Sequence, residues 1–552
     1  MIWLPTGSEA LAADRYTQEE IGIPGIVLME RAALALFAAF EEMLCGKIPT
    51  DGDFSLSRFR KERDRILIAV ENGNNGGDGL AFARLLSEAG YLVDVLMLNG
   101  IPKKSESFQI QEKILASCAV RVMDVDRFDT KEAIAERRYT VAVDAIFGVG
   151  LSRPVEGIQA DIVRFMNRMP AFRLAVDIPT GISAETGRVL GEAFRADATV
   201  TFGFLKLGMM LGKGREYAGN VIMRDIGLRM PKKSGVSMVY TRGKEDIGKL
   251  LPARPVDAHK GTMGRVLVIA GSKEMCGAAI LAAEAAYRTG AGLVRVLTEE
   301  TNRAPLMADV PEVIADLYRE LPENPENPED YETARRKLEK QVRRAVAWAD
   351  AICVGPGLGT GQTAVELLRC LASAAGMIDA DLLVDADGLN ILAKEPALLD
   401  SFTGAGLKLI LTPHIGEMNR LLRAWPDPAG QTPGDEPLGV AERFAKTRGV
   451  TLVLKSDRTV VAGKKNLYLN TIGNAGMATG GSGDVLAGIL TALFAMTPKE
   501  ARDRDRLAEL GVLIHSAAGD AAAEEKGQAG MLAGDIIRKL PEVLKAADKN
   551  CS

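Results

Sequence analysis

Histidine and cysteine are scarce in this chain of 552 residues, and their scarcity narrows the chemistry open to the protein. Only His259, His414 and His515 are present, far apart from one another, so a histidine-based zinc site is not expected. The six cysteines form no C-x-x-C pair and lie mostly in apolar runs, which favours a reducing compartment over a disulfide framework. They stand at positions 45, 118, 276, 353, 370 and 551.

The chain also lacks long apolar segments and any strong excess of charge. No apolar run reaches the roughly 20 residues of a membrane helix, and a net charge of −5 without a basic cluster favours neither nucleic acid nor a membrane surface. The first residues carry Pro5 and Glu9 and no basic segment, so no secretory signal is expected. With 47% hydrophobic and 26% charged residues, we expect a cytoplasmic enzyme of three or four domains, or of two large ones.

Short apolar strands alternate with helical segments along both halves of the sequence. Such alternation is typical of doubly wound, mostly parallel α/β sheets, which bind ligands at the carboxyl ends of their strands. The polar segment 229–245 is interpreted as a linker, and 323–344 as a charged surface insertion. We therefore predict two doubly wound α/β domains. The predicted strands are 65–70, 92–98, 140–144, 172–177, 198–201, 265–270, 292–297, 351–354, 382–385, 407–411 and 452–455.

The segment 474–484 is the most informative motif. It reads Asn-Ala-Gly-Met-Ala-Thr-Gly-Gly-Ser-Gly-Asp and runs into an apolar stretch with helical spacing. Glycines let backbone N–H groups close on an anion, and a helix start adds the positive end of its dipole. Asp484 then lies where phosphates would lie, so its carboxylate is placed to act as a base. The alternative is a glycine-rich turn in which Asp484 only caps the helix.

Oxygen-bearing side chains follow three predicted strands of the first half. The strand 65–70 leads into the asparagine- and glycine-rich segment 71–79, whereas Asp144 and Asp177 end two later strands. Because the carboxyl ends of parallel strands meet at one edge of a sheet, we expect these side chains to form one site. The alternative is that they only cap turns, as Asp and Asn commonly do.

These segments resemble the NAD(P)H-hydrate epimerase family over residues 1–230. The resemblance implies a Rossmann-like epimerase domain in which Asp177 contacts the reacting ring, and in which Asn75, Asp144 and Thr180 bind a potassium ion. It rests on the ordered motifs Gly22-Ile23-Pro24, Leu28-Met29-Glu30-Arg31-Ala32, Asn74-Asn75-Gly76-Gly77-Asp78-Gly79, Asp144-Ala145-Ile146-Phe147-Gly148-Val149-Gly150 and Asp177-Ile178-Pro179-Thr180-Gly181. The hydrated dinucleotide would be held by Asn74, Asn75, Gly76, Gly77, Asp78, Gly148, Val149, Gly150, Leu151, Ser152, Arg153 and Pro154. Glu71 and Thr180 depart from the small residue and the serine that are usual there.

A second set of motifs resembles ribokinase-like enzymes, and more closely the ADP- or ATP-dependent NAD(P)H-hydrate dehydratases, over residues 245–552. Its segments are 260–264, 270–272, 277–279, 290–292, 355–359, 385–390, 412–417, 455–459 and 474–484. The resemblance implies that the adenine nucleotide faces Lys455, Ser456, Asp457, Arg458, Thr459 and Gly483. The hydrated cofactor would face Ala278, Gly357, His414 and Asp484. Outside this motif His414 would be interpreted as a packing residue, and Ser456 stands where glycine is usual.

The two resemblances imply a repair enzyme for hydrated NADH and NADPH. The first domain would interconvert the epimers while Asp177 stabilises the cationic ring. The second would dehydrate the S form by phosphorylating its hydroxyl from ADP and eliminating phosphate, with Mg²⁺ on the nucleotide and Glu417 contacting the ion through water. The residues do not choose between ADP and ATP, or between NADH and NADPH hydrates, and a homo-oligomer is expected. An ATP-dependent vitamin or sugar kinase, or a scaffold with an inactive first domain, remains an alternative.

Overall fold

The protein divides into two compact units in a computed structural model that describes residues 1–49, 56, 59–100, 102–135, 139–231, 238–322 and 328–548. One unit is Ile2–Val239, and the other is Tyr240–Ser552 together with Met1. The division lies inside the segment 229–245. Within the described ranges, no helix is long and apolar enough to cross a membrane.

The first unit alternates strands and helices, as its sequence predicts. Its strands are β1 (Ile2–Trp3), β2 (Arg65–Val70), β3 (Leu92–Met97), β4 (Arg121–Asp124), β5 (Val141–Ala145), β6 (Phe172–Val176), β7 (Ala198–Phe202) and β8 (Asn220–Arg224). Its helices are α1 (Gly7–Glu19), α2 (Gly25–Leu44), α3 (Asn74–Glu88), α4 (Glu106–Leu115), α5 (Thr130–Ala135), α6 (Gly157–Arg168) and α7 (Gly212–Ala218).

Seven strands of this unit form one sheet in the order β4-β3-β2-β5-β6-β7-β8, and every neighbouring pair is parallel. Ile66 and Ile68 of β2 belong to the core on one face of the sheet, whereas Leu67 and Ala69 belong to the core on the other. This period of two, with both faces apolar, is what a parallel sheet covered by helices on both sides requires. The chain order reverses between β2 and β5, so a ligand crevice is expected at the carboxyl ends of these two strands.

The second unit is larger and also doubly wound. Its strands are β9 (Val239–Thr241), β10 (Arg265–Ile269), β11 (Leu293–Glu299), β12 (Ile314–Tyr318), β13 (Ala351–Val354), β14 (Asp381–Val384), β15 (Lys408–Leu411), β16 (Thr451–Leu454), β17 (Val460–Ala462) and β18 (Leu467–Leu469). Its helices are α8 (Ile247–Leu250), α9 (Cys276–Thr289), α10 (Arg303–Asp309), α11 (Pro328–Val346), α12 (Gln362–Ser373), α13 (Ala386–Lys394), α14 (Pro396–Gly404), α15 (Ile415–Ala424), α16 (Pro437–Arg448), α17 (Ser482–Met496), α18 (Arg504–Lys526) and α19 (Ala533–Asp548).

Strands β9 to β18 lie in the order β9-β18-β17-β16-β15-β14-β13-β10-β11-β12. Pairing is parallel from β12 to β16 and antiparallel from β16 to β18. The chain order reverses between β10 and β13, and α17 packs against α9 beside this point. The prediction of two doubly wound α/β units is confirmed.

Three local predictions were wrong or incomplete. The glycine-rich segment 74–79, expected to be a loop before the helix, forms the first turns of α3, where Gly79 packs against Val70 and Ala145 of the sheet. The segment interpreted as a linker at 229–245 contains β9 and a short helical turn at Lys244–Asp246, and its residues 232–237 lie outside the described residues. In the predicted insertion, 323–327 also lie outside them, and α11 follows.

Candidate functional site

A cavity of about 450 Å³ opens at the crevice between β2 and β5 of the first unit. Most of the residues predicted to hold the hydrated dinucleotide line it, which brings three separate sequence segments to one place. Those on its wall are Asn74, Asn75, Asp78, Gly148, Val149, Gly150, Leu151, Ser152, Arg153 and Asp177. Gly76, Gly77 and Pro154, which were predicted to hold the same ligand, are absent from the described wall.

Gly76 and Gly77 are closely packed against neighbouring residues. A Cβ atom on Gly76 would lie 1.8 Å from the carbonyl oxygen of Glu71, and one on Gly77 would lie 2.5 Å from Cε of Met29. The clash at Gly76 is with the backbone, so this position accepts no side chain, whereas at Gly77 the end of the Met29 side chain would have to move. The contact of these two glycines with the hydrated dinucleotide stays a prediction.

Asp177 is held at the cavity wall by a lysine that the sequence analysis missed. Its φ of +68° is uncommon for a residue with a side chain. Lys206 Nζ forms an ion pair with Asp177 Oδ1 and donates to Thr201 Oγ1 (2.8 Å) and to the carbonyl oxygen of Phe202 (2.9 Å). The available signal was a lone lysine, Lys206, in an apolar run immediately after a predicted strand.

Asp78 and Asp14 are two further carboxylates of this cavity. Burial raises the pKa of Asp78 well above its ordinary value, the charges of Asp177 and Asp14 raise it further, and Lys206 opposes them. Asp14 accepts a hydrogen bond from Gln18 Nε2 (2.8 Å), and burial raises its pKa as well. Three carboxylates therefore face one buried ammonium group in the same space.

Of the predicted potassium ligands, Asn75 lies on the cavity wall, whereas Asp144 and Thr180 are buried behind it at the same sheet edge. Asp144 is fully buried, and it accepts hydrogen bonds from Thr180 N (2.7 Å), Thr180 Oγ1 (2.7 Å) and Ile146 N (3.2 Å). Burial raises the pKa of Asp144 to about 6, although these donors oppose the shift. The side-chain nitrogen of Asn75 is buried and has no hydrogen-bond partner among the described residues.

In the second unit, Asp484 lies in the first turn of α17. Gly481 precedes the helix with a φ of +89°, and no side chain caps this end, so the first N–H groups of the helix are left for other acceptors. Asp484 forms no hydrogen bond or ion pair with any described residue. Burial raises its pKa to about 7, and the charge of Asp385 adds to this while Lys455 opposes it. The carboxylate is therefore able to take up a proton near neutral pH.

Lys455 and Asp385 form an ion pair beside this helix start. They follow β16 and β14, and Lys455 Nζ lies 2.6 Å from Asp385 Oδ1. Burial lowers the pKa of Lys455, but the negative charges of Asp385, Glu417 and Asp484 outweigh it, so the pKa is raised overall. A Cβ atom on Gly483 would lie 3.3 Å from Lys455 Nζ. The predicted nucleotide residues Lys455 and Gly483 are thus adjacent.

His414 is the residue immediately before α15 and caps that helix. Its Nδ1 accepts a hydrogen bond from Gly416 N (2.9 Å), and the Glu417 carboxylate accepts one from His414 N (2.8 Å). Lys455 N donates to the carbonyl oxygen of Pro413 (2.7 Å), which places His414 next to the ion pair. Its imidazole is half exposed, and its Nε2 lies 3.4 Å from Glu417 Oε1.

Ala278 and Gly357 meet at the point where the strand order reverses. Gly357 has a φ of +57°, and a Cβ atom there would lie 2.7 Å from Cβ of Ala278. The two residues come from α9 and from the loop after β13, and Gly271 N donates to the carbonyl oxygen of Pro356 (2.9 Å) between them. The two residues predicted to contact the hydrated cofactor therefore lie next to each other, and the loop at Gly357 carries no side chain there.

The segment 456–459 forms the turn between β16 and β17. Ser456 Oγ accepts from Arg458 N (3.1 Å), and Arg458 Nη1 donates to the carbonyl oxygen of Thr471 (2.6 Å). Ser456 and Asp457 are exposed, whereas Arg458 is buried. The guanidinium group of Arg458 thus contacts the protein's own backbone.

Helix α18 supports the glycine segment from behind, and the sequence analysis missed this. His515 Nε2 lies 3.3 Å from Ser482 Oγ, and Asp520 Oδ1 accepts a hydrogen bond from Asn474 Nδ2 (2.9 Å). Burial lowers the pKa of His515 to about 4, so the imidazole is neutral at physiological pH. The available signal was the presence of His515 and Asp520 in the mostly apolar stretch 510–523 of this helix.

Two family models match the chain, one in each half. A model described as YjeF-related protein N-terminus matches residues 25–208, and one described as NAD(P)H-hydrate dehydratase matches 266–542. The bifunctional NAD(P)H-hydrate repair enzyme Nnr of Moorella thermoacetica is 34% identical over 99% of this chain and 97% of its own length. The enzyme of the same name from Escherichia coli is 32% identical over 88% and 86%.

A crystal structure of an ADP/ATP-dependent NAD(P)H-hydrate dehydratase from Bacillus subtilis, co-crystallised with ATP and Mg²⁺, is 25% identical. It covers 55% of this chain and 97% of its own, with a TM-score of 0.43. A vitamin or sugar kinase would not need the first half of this chain, whereas the curated relatives span both halves under one name. The chain therefore belongs to the family of bifunctional NAD(P)H-hydrate repair enzymes.

Proposed function

We propose that residues 1–230 interconvert the R and S epimers of hydrated NADH and NADPH, and that residues 245–552 dehydrate the S epimer at the expense of ADP. The observation that carries the proposal is Asp484, a carboxylate without a partner among the described residues at an open helix start, with a pKa near 7. Such a group removes a proton from a hydroxyl, and the helix start favours phosphate.

In the second unit the hydroxyl of the hydrated ring attacks the terminal phosphoryl group of ADP. Asp484 takes the hydroxyl proton, and the N–H groups at the start of α17, together with Lys455, stabilise the transferred negative charge. AMP is the leaving group of this transfer. The C–O bond between the ring and the phosphate then breaks with its electron pair on oxygen, inorganic phosphate leaves, and loss of a proton from the neighbouring ring carbon restores the double bond of the reduced nicotinamide. Water is a poor leaving group, and this route replaces it with phosphate.

Mg²⁺ would accompany the nucleotide and neutralise charge on its phosphates. The described residues contain no group of three or more His, Cys, Asp or Glu side chains that forms a metal centre. Glu417, expected from the sequence to reach the ion through water, is buried in the cap of α15. We therefore assign the ion mainly to the phosphate oxygens, and we assign Glu417 to orienting His414.

In the first unit Asp177 would face the reacting ring, since its carboxylate lines the cavity and offsets a positive charge there. The residues also suit a potassium ion, because Asp144 and Thr180 supply hard oxygen atoms. Beside them lies the amide group of Asn75, whose buried nitrogen has no hydrogen-bond partner among the described residues. A half-turn of that amide exchanges its nitrogen and oxygen, which gives the ion a third ligand. A bound potassium ion would supply positive charge and hold the loop 147–154 in place.

The five described cysteines are free thiols, which supports a reducing compartment, and we therefore place this activity in the cytoplasm.

The test supplies an epimeric mixture of hydrated NADH with ADP, with ATP or with no nucleotide. Recovery of NADH is followed by its near-ultraviolet absorbance. We expect complete recovery with ADP, slower recovery with ATP and none without a nucleotide. Recovery without any nucleotide would exclude the phosphorylation route, and rapid recovery of one epimer followed by a stop would remove the epimerase assignment.

A further inference from the structure

The cavity of the first unit contains three carboxylates with very different surroundings. Asp177 forms an ion pair with Lys206 and also accepts hydrogen bonds from Thr201 Oγ1 (3.3 Å) and Phe202 N (3.2 Å). These donors stabilise the ionised form of Asp177. Asp14 has one neutral donor, Gln18.

Asp78 has none of this support. Within the described residues it accepts no hydrogen bond and forms no ion pair, although it lies on the cavity wall in the first turns of α3. The charged groups facing it are Asp14 from α1, Asp177 after β6 and Lys206 after β7, and Arg153 lies exposed on the rim of the cavity. Two of the three inner groups are negative. Of the three carboxylates, Asp78 is the one whose ionised form is least stabilised.

A pair of carboxylates held in opposite protonation states is the arrangement that acid catalysis next to a developing cation requires. The departing hydroxyl needs a proton, and the ring needs a negative charge beside it. Asp177 is already engaged by Lys206 and two further donors, so Asp78, which has no donor among the described residues, is the carboxylate placed to supply the proton. Asn75, whose side-chain nitrogen is buried without a hydrogen-bond partner among the described residues, lies on the same wall.

We propose that Asp78 is the general acid of the first unit, an assignment that rests on the epimerase function proposed above. The C–O bond of the hydrated ring breaks with its electron pair going to oxygen, which takes the Asp78 proton and leaves as water. The lone pair of the ring nitrogen forms a C=N bond, and Asp177 offsets the resulting positive charge. Because the cation is planar, water that returns to its opposite face gives the other epimer, and the proton is returned to the carboxylates.

The experiment compares wild type, Asp78→Asn and the matched control Asp161→Asn, whose side chain is exposed on α6. Epimer exchange of hydrated NADH is measured by NMR across a range of pH in H₂O and D₂O, with the uncatalysed exchange subtracted. Wild-type exchange should fall as pH rises through the pKa of Asp78, and it should be slower in D₂O. Asp78→Asn should lose about 10²- to 10⁴-fold of the rate together with both dependences.

Two readouts separate acid catalysis from a structural role. In Asp78→Asn the dehydratase activity of the same chain should stay within a few-fold of wild type, and the loss of epimer exchange should lie in kcat more than in KM. Near wild-type exchange in Asp78→Asn, a loss confined to KM, or a wild-type rate that is unchanged in D₂O would overturn the assignment of Asp78 alone. Wild-type exchange no faster than the uncatalysed rate would overturn the epimerase function itself, and the assignment with it.

Discussion

Replacing Asp484 with Asn should abolish dehydration while making the protein more stable above neutral pH. The variant keeps the shape of the side chain and removes its basicity. Loss of a general base costs about 10²- to 10⁴-fold in rate, which is about 3 to 5 kcal/mol at 1.36 kcal/mol for each factor of ten. Nucleotide affinity should change little, because the N–H groups of α17 and Lys455 are untouched.

The effect on stability follows from the raised pKa of Asp484. The carboxyl ionises near 3.8 when unfolded and near 7 when folded, so between these values unfolding releases a proton and wild-type stability falls as pH rises. The shift corresponds to a cost on the order of 4 kcal/mol for burying the charge. Asn at position 484 carries no charge, so this pH dependence should disappear.

The assay combines single-turnover NADH recovery with thermal unfolding at several pH values. Wild-type kcat/KM should rise with pH to a plateau above about 7, because the base must be ionised. The control Asp387→Asn removes a negative charge that raises the pKa of Asp484, so it should keep activity and shift this profile to lower pH. Unchanged turnover in Asp484→Asn, or an equal loss of stability and activity, would refute the reasoning.

Three further outcomes are expected. Fragments 1–230 and 245–552 should each fold when expressed apart, and fragment 245–552 should consume one epimer and leave the other. If this fragment consumes both epimers faster than they exchange spontaneously, the first domain is not the epimerase. Epimer exchange measured by NMR should be faster in a potassium buffer than in a buffer with a bulky organic cation, and Asp144→Ala should slow exchange without affecting dehydration. Equal exchange rates in the two buffers, in protein shown to be free of potassium, would exclude the potassium site. His515→Phe should lower the free energy of unfolding by about 1–3 kcal/mol, because it leaves the buried Ser482 hydroxyl without a hydrogen-bond partner. It should also raise the KM for nucleotide more than it lowers kcat. An unchanged KM would show that His515 does not support the nucleotide-binding segment.

The sequence predicted strands better than it predicted the surroundings of individual residues. The strands 65–70 and 351–354 have the predicted bounds, because a buried parallel strand is a short apolar run between turn residues. The glycines of the segment 74–79 indicated a loop, but they lie in a helix and allow close contacts with the sheet at Gly79, with the backbone of Glu71 at Gly76 and with Met29 at Gly77. A sequence pattern shows that a residue is small, but it does not show which neighbouring residue in the fold leaves no room for a larger side chain.

Glu71 is another residue whose surroundings the sequence did not predict. A charged residue at this loop position suggested a disturbed site, but its carboxylate accepts hydrogen bonds from Asn72 N (2.9 Å), Gly100 N (3.1 Å) and Gln159 Nε2 (3.1 Å). The donors come from positions up to 88 residues away in sequence, so no local pattern could reveal them. The contacts of Lys206 with Asp177 and of His515 with Ser482 were missed for the same reason, since these residues lie 29 and 33 positions apart in sequence.

Each unit contains two neighbouring carboxylates, of which one is ion-paired with a lysine and the other has no partner among the described residues. In the first unit Asp177 pairs with Lys206, and Asp78 is the carboxylate without a partner. In the second unit Asp385 pairs with Lys455, and Asp484 is the carboxylate without a partner. The lysine forms an ion pair with the first carboxylate, and burial raises the pKa of the second. An acid and a base with raised pKa values respond to pH in opposite directions, so epimerisation should slow and dehydration should quicken as pH rises. Complete repair of an epimeric mixture by the full chain should then pass through a maximum, limited by dehydration on the acid side and by epimer exchange on the alkaline side. Adding excess 245–552 fragment should speed repair only below that maximum. A stimulation that is equal at all pH values would show that the two carboxylates do not have these opposite roles.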